Sequence, residues 1–395
     1  MTSQALDDLL VLDFSRVLAG PFATMLLGDF GAEIVKVERP ETGDDTRAWG
    51  PPHDAHGTST YFLSVNRNKR SVVLDLRDPA GARTARELAR RADVVVENFR
   101  PGVMDRLGLG FDALARENPA LVYCSITGFG TGPGAALPGY DLLIQALGGL
   151  MSITGPRDGE PQKVGVALVD VVAGLFASIG ILTALRHRAR TGEGQRVEVD
   201  LLTSLLAALA NQASGYTVAG VVPERMGNSH PSVAPYELFA TADGDLVLAV
   251  GNDRQFRALC EVVGDPSLAD EVDFATNDRR VAHRAALREL LEARLRRQPA
   301  ERWVELLGAA GVPAGVVNDL AEAFRLAERL GLEPTVDVPG PNGRTVALPR
   351  NPVRLSATPA TYRSAPAARP GEPSAPDGAR RAAEPQRPRR HREGA

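Results

Sequence analysis

From residue 9 the chain alternates between two hydrophobic periods. LLVLDFS (9–15), EIVKVER (33–39), SVVLDL (71–76), DVVVEN (93–98) and LVYCSITG (121–128) are short β-branched runs, the pattern of buried strands. Between them, GPFATMLLGDFGA (20–32) and PAGARTARELARRA (79–92) carry the 3.6-residue spacing of helices. Strands alternating with crossover helices predict an α/β fold, an open parallel sheet covered on both faces. In such sheets ligands lie beyond the carboxyl ends of strands, here the loops after Phe14, Val37, Leu74 and Ile126.

Residues 139–217 read as mostly helical, interrupted by the strand-like QRVEVD (195–200). YELFATADGDLVLAV (236–250) predicts a hairpin turning at Asp243-Gly244. Helical runs follow at 252–263, 279–297, 299–310 and 319–330, with the strand-like VPAGVVN (312–318) among them. This second α+β unit is expected over 226–325, inserted into a large domain made of 1–225 and 326–365. Residues 335–355 return to strand character around Pro341-Asn342-Gly343. From 366 to 395 the chain is Pro, Arg, Ala, Gly and Glu without apolar periodicity, so a disordered tail is expected.

Composition narrows the chemistry. With 44% hydrophobic and 24% charged residues and a net charge of −4, nothing draws the chain as a whole to nucleic acid or an anionic membrane. The basic RPRRHRE (387–393) does not change that reading. Lysine occurs only at Lys36, Lys69 and Lys163, so arginine must meet most anions. Cys124 and Cys260 read as buried thiols, and the start, MTSQALDDLL, has no secretory pattern, which makes the cytoplasm the expected compartment. GFGTGPG (128–134) fails the dinucleotide-loop spacing and reads as a turn-rich active-site loop, while the six histidines form no recognised metal spacing.

The stretch VALVDVVAGLFASIGILTAL (166–185) is greasy enough to span a bilayer yet carries Asp170. A charge there would cost about 3 kcal/mol at mid-membrane, so a buried helix of a soluble core is the better reading. Asp170 itself has two readings. It is a helix N-terminal acid satisfying free N–H groups, or a weakly solvated carboxylate nucleophile whose charge backbone N–H groups hold.

The runs VLDFSRVLAGPFATMLLGDFGAEIVKVERPETGDDTR (11–47), NRNKRSVVLDL (66–76), DVVVENFRPGVMDRLGL (93–109), SITGFGTGP (125–133), the Asp170 segment and TGEGQRVEVDLL (191–202) together resemble the class III CoA-transferases, in matching order over roughly 8–360. That family includes formyl-CoA transferase and α-methylacyl-CoA racemase. The resemblance implies a large Rossmann-like domain with an inserted smaller domain, and a homodimer of interlocked rings. It also implies coenzyme A or acyl-CoA as a substrate rather than a tightly bound cofactor. Asp170 takes the family's nucleophile position, forming aspartyl anhydride and aspartyl-CoA thioester intermediates. By the same resemblance, Leu18 and Ala19 offer backbone near the nucleotide. Arg39, Arg77 and Arg106 lie near the phosphates, and Leu74, Asn98 and Phe99 line the adenosine or pantetheine path. Pro138 stands where formyl-CoA transferase has a lysine.

Two alternatives stay open. The racemase branch uses a histidine that here is Tyr140, before Asp141, and a phenol with pKa about 10 is a poor base at neutral pH. A non-catalytic acyl-CoA-binding protein would show binding without exchange. The stretch 227–256 is similar to the dicarboxylate-using members, such as succinyl-CoA:hydroxymethylglutarate CoA-transferase, which points to succinyl-CoA as a donor, a carboxylic acid acceptor, and His230, Ser232 and Tyr236 as substrate contacts, with Tyr140 a further expected one. RPGEPSAP (369–376) departs from the family's usual ending.

Overall fold

A computed structural model describes residues 3–340, 343–367 and 369–371. The chain forms two compact units, one made of Met1–Gly148, Val166–Ala210 and the segment from Glu333 on, the other of Gly149–Gly165 and Asn211–Leu332. The smaller unit is larger than the expected 226–325. It also takes in residues 149–165, 211–225 and 326–332, a division that hydrophobic periodicity does not mark.

In the larger unit, strands β1 (Leu10–Asp13), β2 (Glu33–Glu38), β3 (Lys69–Val73), β4 (Val94–Glu97), β5 (Val122–Thr127) and β6 (Gln195–Asp200) form one sheet in the order β3-β2-β1-β4-β5-β6. All its pairings are parallel. Val11, Val94, Val95 and Val96 are fully buried, as strands covered on both faces require. One face packs Leu12, Phe14, Val35, Val95 and Tyr123 against Ala85 and Ala89 of the helix Pro79–Arg91. The other face is covered by the helices Ala19–Asp29 and Leu168–Thr191, which lie against each other. Gly174 permits that closeness: a Cβ there would stand 2.7 Å from the carbonyl oxygen of Ala19. Because β1 has β2 on one side and β4 on the other, strand order reverses at its carboxyl end, and that is where a crevice opens.

The chain returns to this unit as the antiparallel hairpin β10 (Thr335–Pro339) and β11 (Thr345–Pro349), packed on Leu63 and Ala365. Buried Asp29 anchors the return by accepting from Arg67 Nη2 at 2.6 Å, Asn68 Nδ2 at 2.8 Å and Asn351 Nδ2 at 3.0 Å. The disorder expected from residue 366 is corrected in its first part. Ala367 is buried, its carbonyl accepts from Arg47 Nη1 at 2.9 Å, and Gly371 N–H donates to Ser71 Oγ at 3.0 Å. Those backbone contacts order a stretch that lacks apolar periodicity; residues 368 and 372–395, the rest of the expected tail, lie outside the described residues.

The smaller unit folds around β7 (Tyr236–Ala240), β8 (Asp245–Ala249) and β9 (Ala314–Val316), an antiparallel sheet. Its core joins Phe239, Leu246 and Leu248 to Phe256, Leu259, Leu291 and Trp303. The single helix expected over 279–297 is two helices, Asn277–Ala282 and Arg284–Leu295, meeting at His283.

The helix Leu168–Thr191 differs from the expected buried core helix. It is long and apolar enough to cross a membrane, and only 39% of its most apolar stretch is buried. Leu175, Phe176, Ile179 and Leu182 form an exposed stripe, at 40 to 60% exposure. Periodicity shows that a face is apolar, but not what covers it.

Candidate active site

The crevice starts at the turn after β1. Two of the chain's three lysines are buried beneath it. Lys69 Nζ reaches Asp13 at 3.1 Å and the carbonyl of Pro21 at 2.8 Å, while Lys36 Nζ reaches Asp44 at 2.9 Å and the carbonyl of Ser15 at 2.8 Å. Burial works against charge on Asp44, but the charge and hydrogen bond of Lys36 and the hydrogen bonds from Thr46 together outweigh it and hold the carboxyl down at about 2. Burial pulls Lys69 down to about 8, against the opposing pull of Asp13. These buried pairs fix the backbone from Ser15 to Pro21. Within it Val17 has φ 68°, a strained value for a β-branched residue. It is held there by neighbours: Arg16 N–H donates to Asn98 Oδ1 at 2.8 Å, Asn98 Nδ2 donates back to the Arg16 carbonyl at 2.7 Å, and Val17 N–H donates to Asp44 Oδ1 at 3.3 Å.

A cavity of about 210 Å³ opens above this turn, and Leu18, Ala19, Asn98, Phe99, Tyr140 and Asp170 all line it. The glycine-rich loop supplies another wall. Gly128 and Gly139 cross so closely that a Cβ on either would lie 2.5 Å from the other's Cα, which folds the loop back on itself. A larger cavity of about 630 Å³, lined by Lys36, Arg39, Leu74, Arg77 and Phe99, shares Arg16 and Phe99 with the first. The sequence-derived residues therefore gather along one route, with two exceptions. Arg106 is exposed and lines neither cavity. His230, Ser232 and Tyr236 belong to the smaller unit, where they contact one another: the His230 and Tyr236 rings are 5.2 Å apart and Ser232 N–H donates to His230 Nδ1 at 3.1 Å.

Asp170 lies in the first turn of Leu168–Thr191, yet the N–H groups expected to hold its charge are already taken. Asp141 Oδ1 accepts from Val169 N–H at 2.8 Å and from Asp170 N–H at 3.3 Å, and Gln145 Nε2 donates to its Oδ2 at 2.7 Å. Asp141 is thus the cap of the neighbouring helix. Left without those donors, Asp170 is pushed up to about 7, by burial first and by the Asp141 charge second. Tyr61 is pushed up to about 12 by burial and by the carboxylates of Asp170, Asp141 and Asp44. Its ring stacks edge-on with Trp49 at 5.1 Å. Sequence reasoning missed Tyr61, in the five-residue helix Thr60–Ser64, and Trp49, in the loop before it, both too short for a hydrophobic period, and gave Asp141 no role. Its position beside Tyr140 was the available signal.

The model described as CoA-transferase family III matches residues 6–372. The chain belongs to that family. Succinate–glutarate CoA-transferase of Agrobacterium fabrum is 44% identical over 358 residues, 89% of this chain and 90% of that protein. Acetyl-CoA:oxalate CoA-transferase of Acetobacter aceti is 44% identical over 352 residues, 89% of each chain. The crystal structure of a CAIB/BAIF family protein from Brucella suis superposes with a TM-score of 0.82 at 44% identity, covering 93% of this chain and 96% of that one. The protein is a CoA-transferase, with acyl-CoA and carboxylic acids as its substrates.

Proposed function

We propose that this class III CoA-transferase moves CoA from succinyl-CoA to a second dicarboxylic acid through covalent intermediates on Asp170. The observation that carries the reading is Asp170 itself: it lines the cavity, and Asp141 occupies the N–H donors that would otherwise quench its charge. A carboxylate with raised basicity in a poorly hydrated site is a better nucleophile. Asp170 attacks the thioester carbonyl, the C–S bond breaks, and CoA thiolate leaves an acyl-aspartyl anhydride. The thiolate attacks the aspartyl carbonyl and displaces the donor acid, giving an aspartyl-CoA thioester. The acceptor carboxylate then attacks that thioester and frees thiolate again, which takes the acceptor's acyl group and restores Asp170. No net proton is consumed. Anhydride and thioester both hydrolyse, so Leu18, Ala19, Ile126 and Leu201 in the wall serve to limit water.

In this reading Leu18, Ala19, Asn98 and Phe99 guide the pantetheine arm, while Arg39, Leu74 and Arg77 meet the nucleotide. Arg106 and the trio His230, Ser232 and Tyr236 remain proposed contacts. The dicarboxylate preference is supported by the relatives, whose names include glutarate, oxalate and mesaconate. A homodimer of interlocked rings is part of the proposal, supported by the exposed stripe Leu175, Phe176, Ile179 and Leu182. A folded monomer on dilution would overturn that part. The racemase alternative is disfavoured by Tyr140 at the base position and by Asp141 serving as a helix cap. The test is mass spectrometry of the protein mixed with succinyl-CoA and a panel of acids. The peptide holding Asp170 should gain the mass of CoA less one water, and a dicarboxylic acid should emerge as a thioester; solvent deuterium entering the α-position without an acceptor would favour the racemase instead.

A further inference from the structure

The cavity that holds Asp170 is lined by two cations, Arg16 and Arg100, and two carboxylates, Asp45 and Asp170. Arg16 is engaged: it pairs with Asp45 at 3.5 Å and its guanidinium lies over the Phe99 ring at 4.8 Å. Arg100 has no salt bridge or side-chain hydrogen bond among the described residues, although it also borders a second cavity containing Glu97, Asp105 and Asp112. Its exposed side chain is carried on a fixed backbone. Glu97, buried at the end of β4, accepts from Phe99 N–H at 2.9 Å, Asn98 is bonded both ways to Arg16, and the Arg100 carbonyl accepts from Val103 N–H at 3.1 Å. The guanidinium is thus presented to the reacting chamber by a loop tied at three places.

A dicarboxylic acid entering that chamber brings two negative charges toward Asp170. One is consumed in forming the thioester; the other must be accommodated without neutralising the nucleophile. An unpaired guanidinium lining the same cavity does this, and its planar fork matches a carboxylate. The phosphates of CoA have other cations, because Lys36, Arg39 and Arg77 line the larger cavity and Arg100 does not.

Resting on the dicarboxylate reading above, we propose that Arg100 recognises the non-reacting carboxylate of the dicarboxylic acid, in both the donor acyl group and the acceptor. The residue thereby selects dicarboxylic over monocarboxylic substrates.

The test compares wild type, Arg100→Ala and Arg100→Lys with glutarate and valerate as acceptors, together with calorimetric titration of free CoA. Arg100→Ala should raise KM for glutarate and for succinyl-CoA about 10- to 100-fold, the loss of one charge-assisted contact, and leave KM for valerate, measured at saturating donor, and CoA affinity unchanged. Arg100→Lys should recover part of the glutarate loss, keeping the charge without the fork. A fall in CoA affinity would assign Arg100 to a phosphate and overturn the proposal, as would a preference for glutarate over valerate that survives in Arg100→Ala. A wild-type enzyme with no such preference would remove the dicarboxylate reading itself, and the role of Arg100 with it.

Discussion

In the larger unit the side chains withdrawn from water include Asp13, Asp29, Lys36, Glu38, Asp44, Arg67, Lys69 and Glu97, whereas in the smaller unit only Glu237 and Arg280 among the described buried residues carry charge. The smaller unit is held by Phe239, Leu246, Phe256, Leu291 and Trp303, an apolar core of ordinary kind. The larger one has such a core against its sheet, but at the carboxyl ends of β1 and β2 it replaces apolar packing with paired charge. Buried ion pairs are a poor source of net stability, because desolvation offsets much of their attraction. What they do supply here is direction: Lys36 and Lys69 bond carbonyls of Ser15 and Pro21, and so set the backbone that faces Asp170. The difference between the units is that one is built to stand and the other to aim.

The strongest test of that contrast is Asp170→Ala. It should lower transfer by about four orders of magnitude or more while leaving free CoA affinity and the circular dichroism spectrum near those of wild type. Turnover retained within tenfold would remove the residue as nucleophile.

A second test sets one deletion in each unit against the other. Asp29→Ala leaves Arg67 buried without its partner and should cost about 3–5 kcal/mol in denaturant unfolding. Leu291→Ala, a truncation in the smaller unit's core, should cost about 2–5 kcal/mol. The contrast appears in the repair. Adding Arg67→Met to Asp29→Ala should recover much of the loss, since the stranded charge is gone, and failure to recover would mean that Asp29 acts through packing.

The electrostatics around Asp170 give a smaller and more specific effect. In the proposed mechanism the group attacks as a carboxylate, and with its pKa raised to about 7, kcat/KM for acyl-CoA should fall as pH drops through that value. Asp141→Asn keeps an oxygen to cap Val169 and Asp170 but removes the charge, and it should move this limb to lower pH. A limb that does not move would assign the shift to burial alone.

The smallest effect is on stability. The folded pKa of Asp170 lies above its unfolded value near 3.8, so the folded state holds an extra proton between roughly pH 4 and 7 and its stability declines as pH rises through that window. Asp170→Asn should therefore raise Tm at pH 8 more than at pH 4, a difference measurable by scanning calorimetry.

Much of this was legible from residue pattern. All six strands of the large sheet, including QRVEVD after a long helical stretch, were readable because β-branched runs bounded by turns have few other uses. Asp170 stood out as the lone charge in its segment. Tyr61 and Asp141 did not, because a residue that acts by facing another from 29 or more positions away leaves no local period. The exposed stripe on Leu168–Thr191 and the break at His283 were unreadable for related reasons. An apolar face looks alike whether its own chain or another covers it, and a helix that turns sharply at one residue keeps its composition. Residues 366, 367 and 369–371 were misread because hydrogen bonds to the backbone of Ala367 and Gly371 help to attach them, and such bonds leave no apolar period.

Gly174 stands one helical turn beyond Asp170, on the same side of its helix, where a Cβ would press on the Ala19 carbonyl. The gap between the Asp170 carboxylate and the backbone of Ala19 is thus set by a side chain that is missing. Even one methyl at that position would force the two helices apart and shift Asp170 against the cavity wall it shares with Ala19.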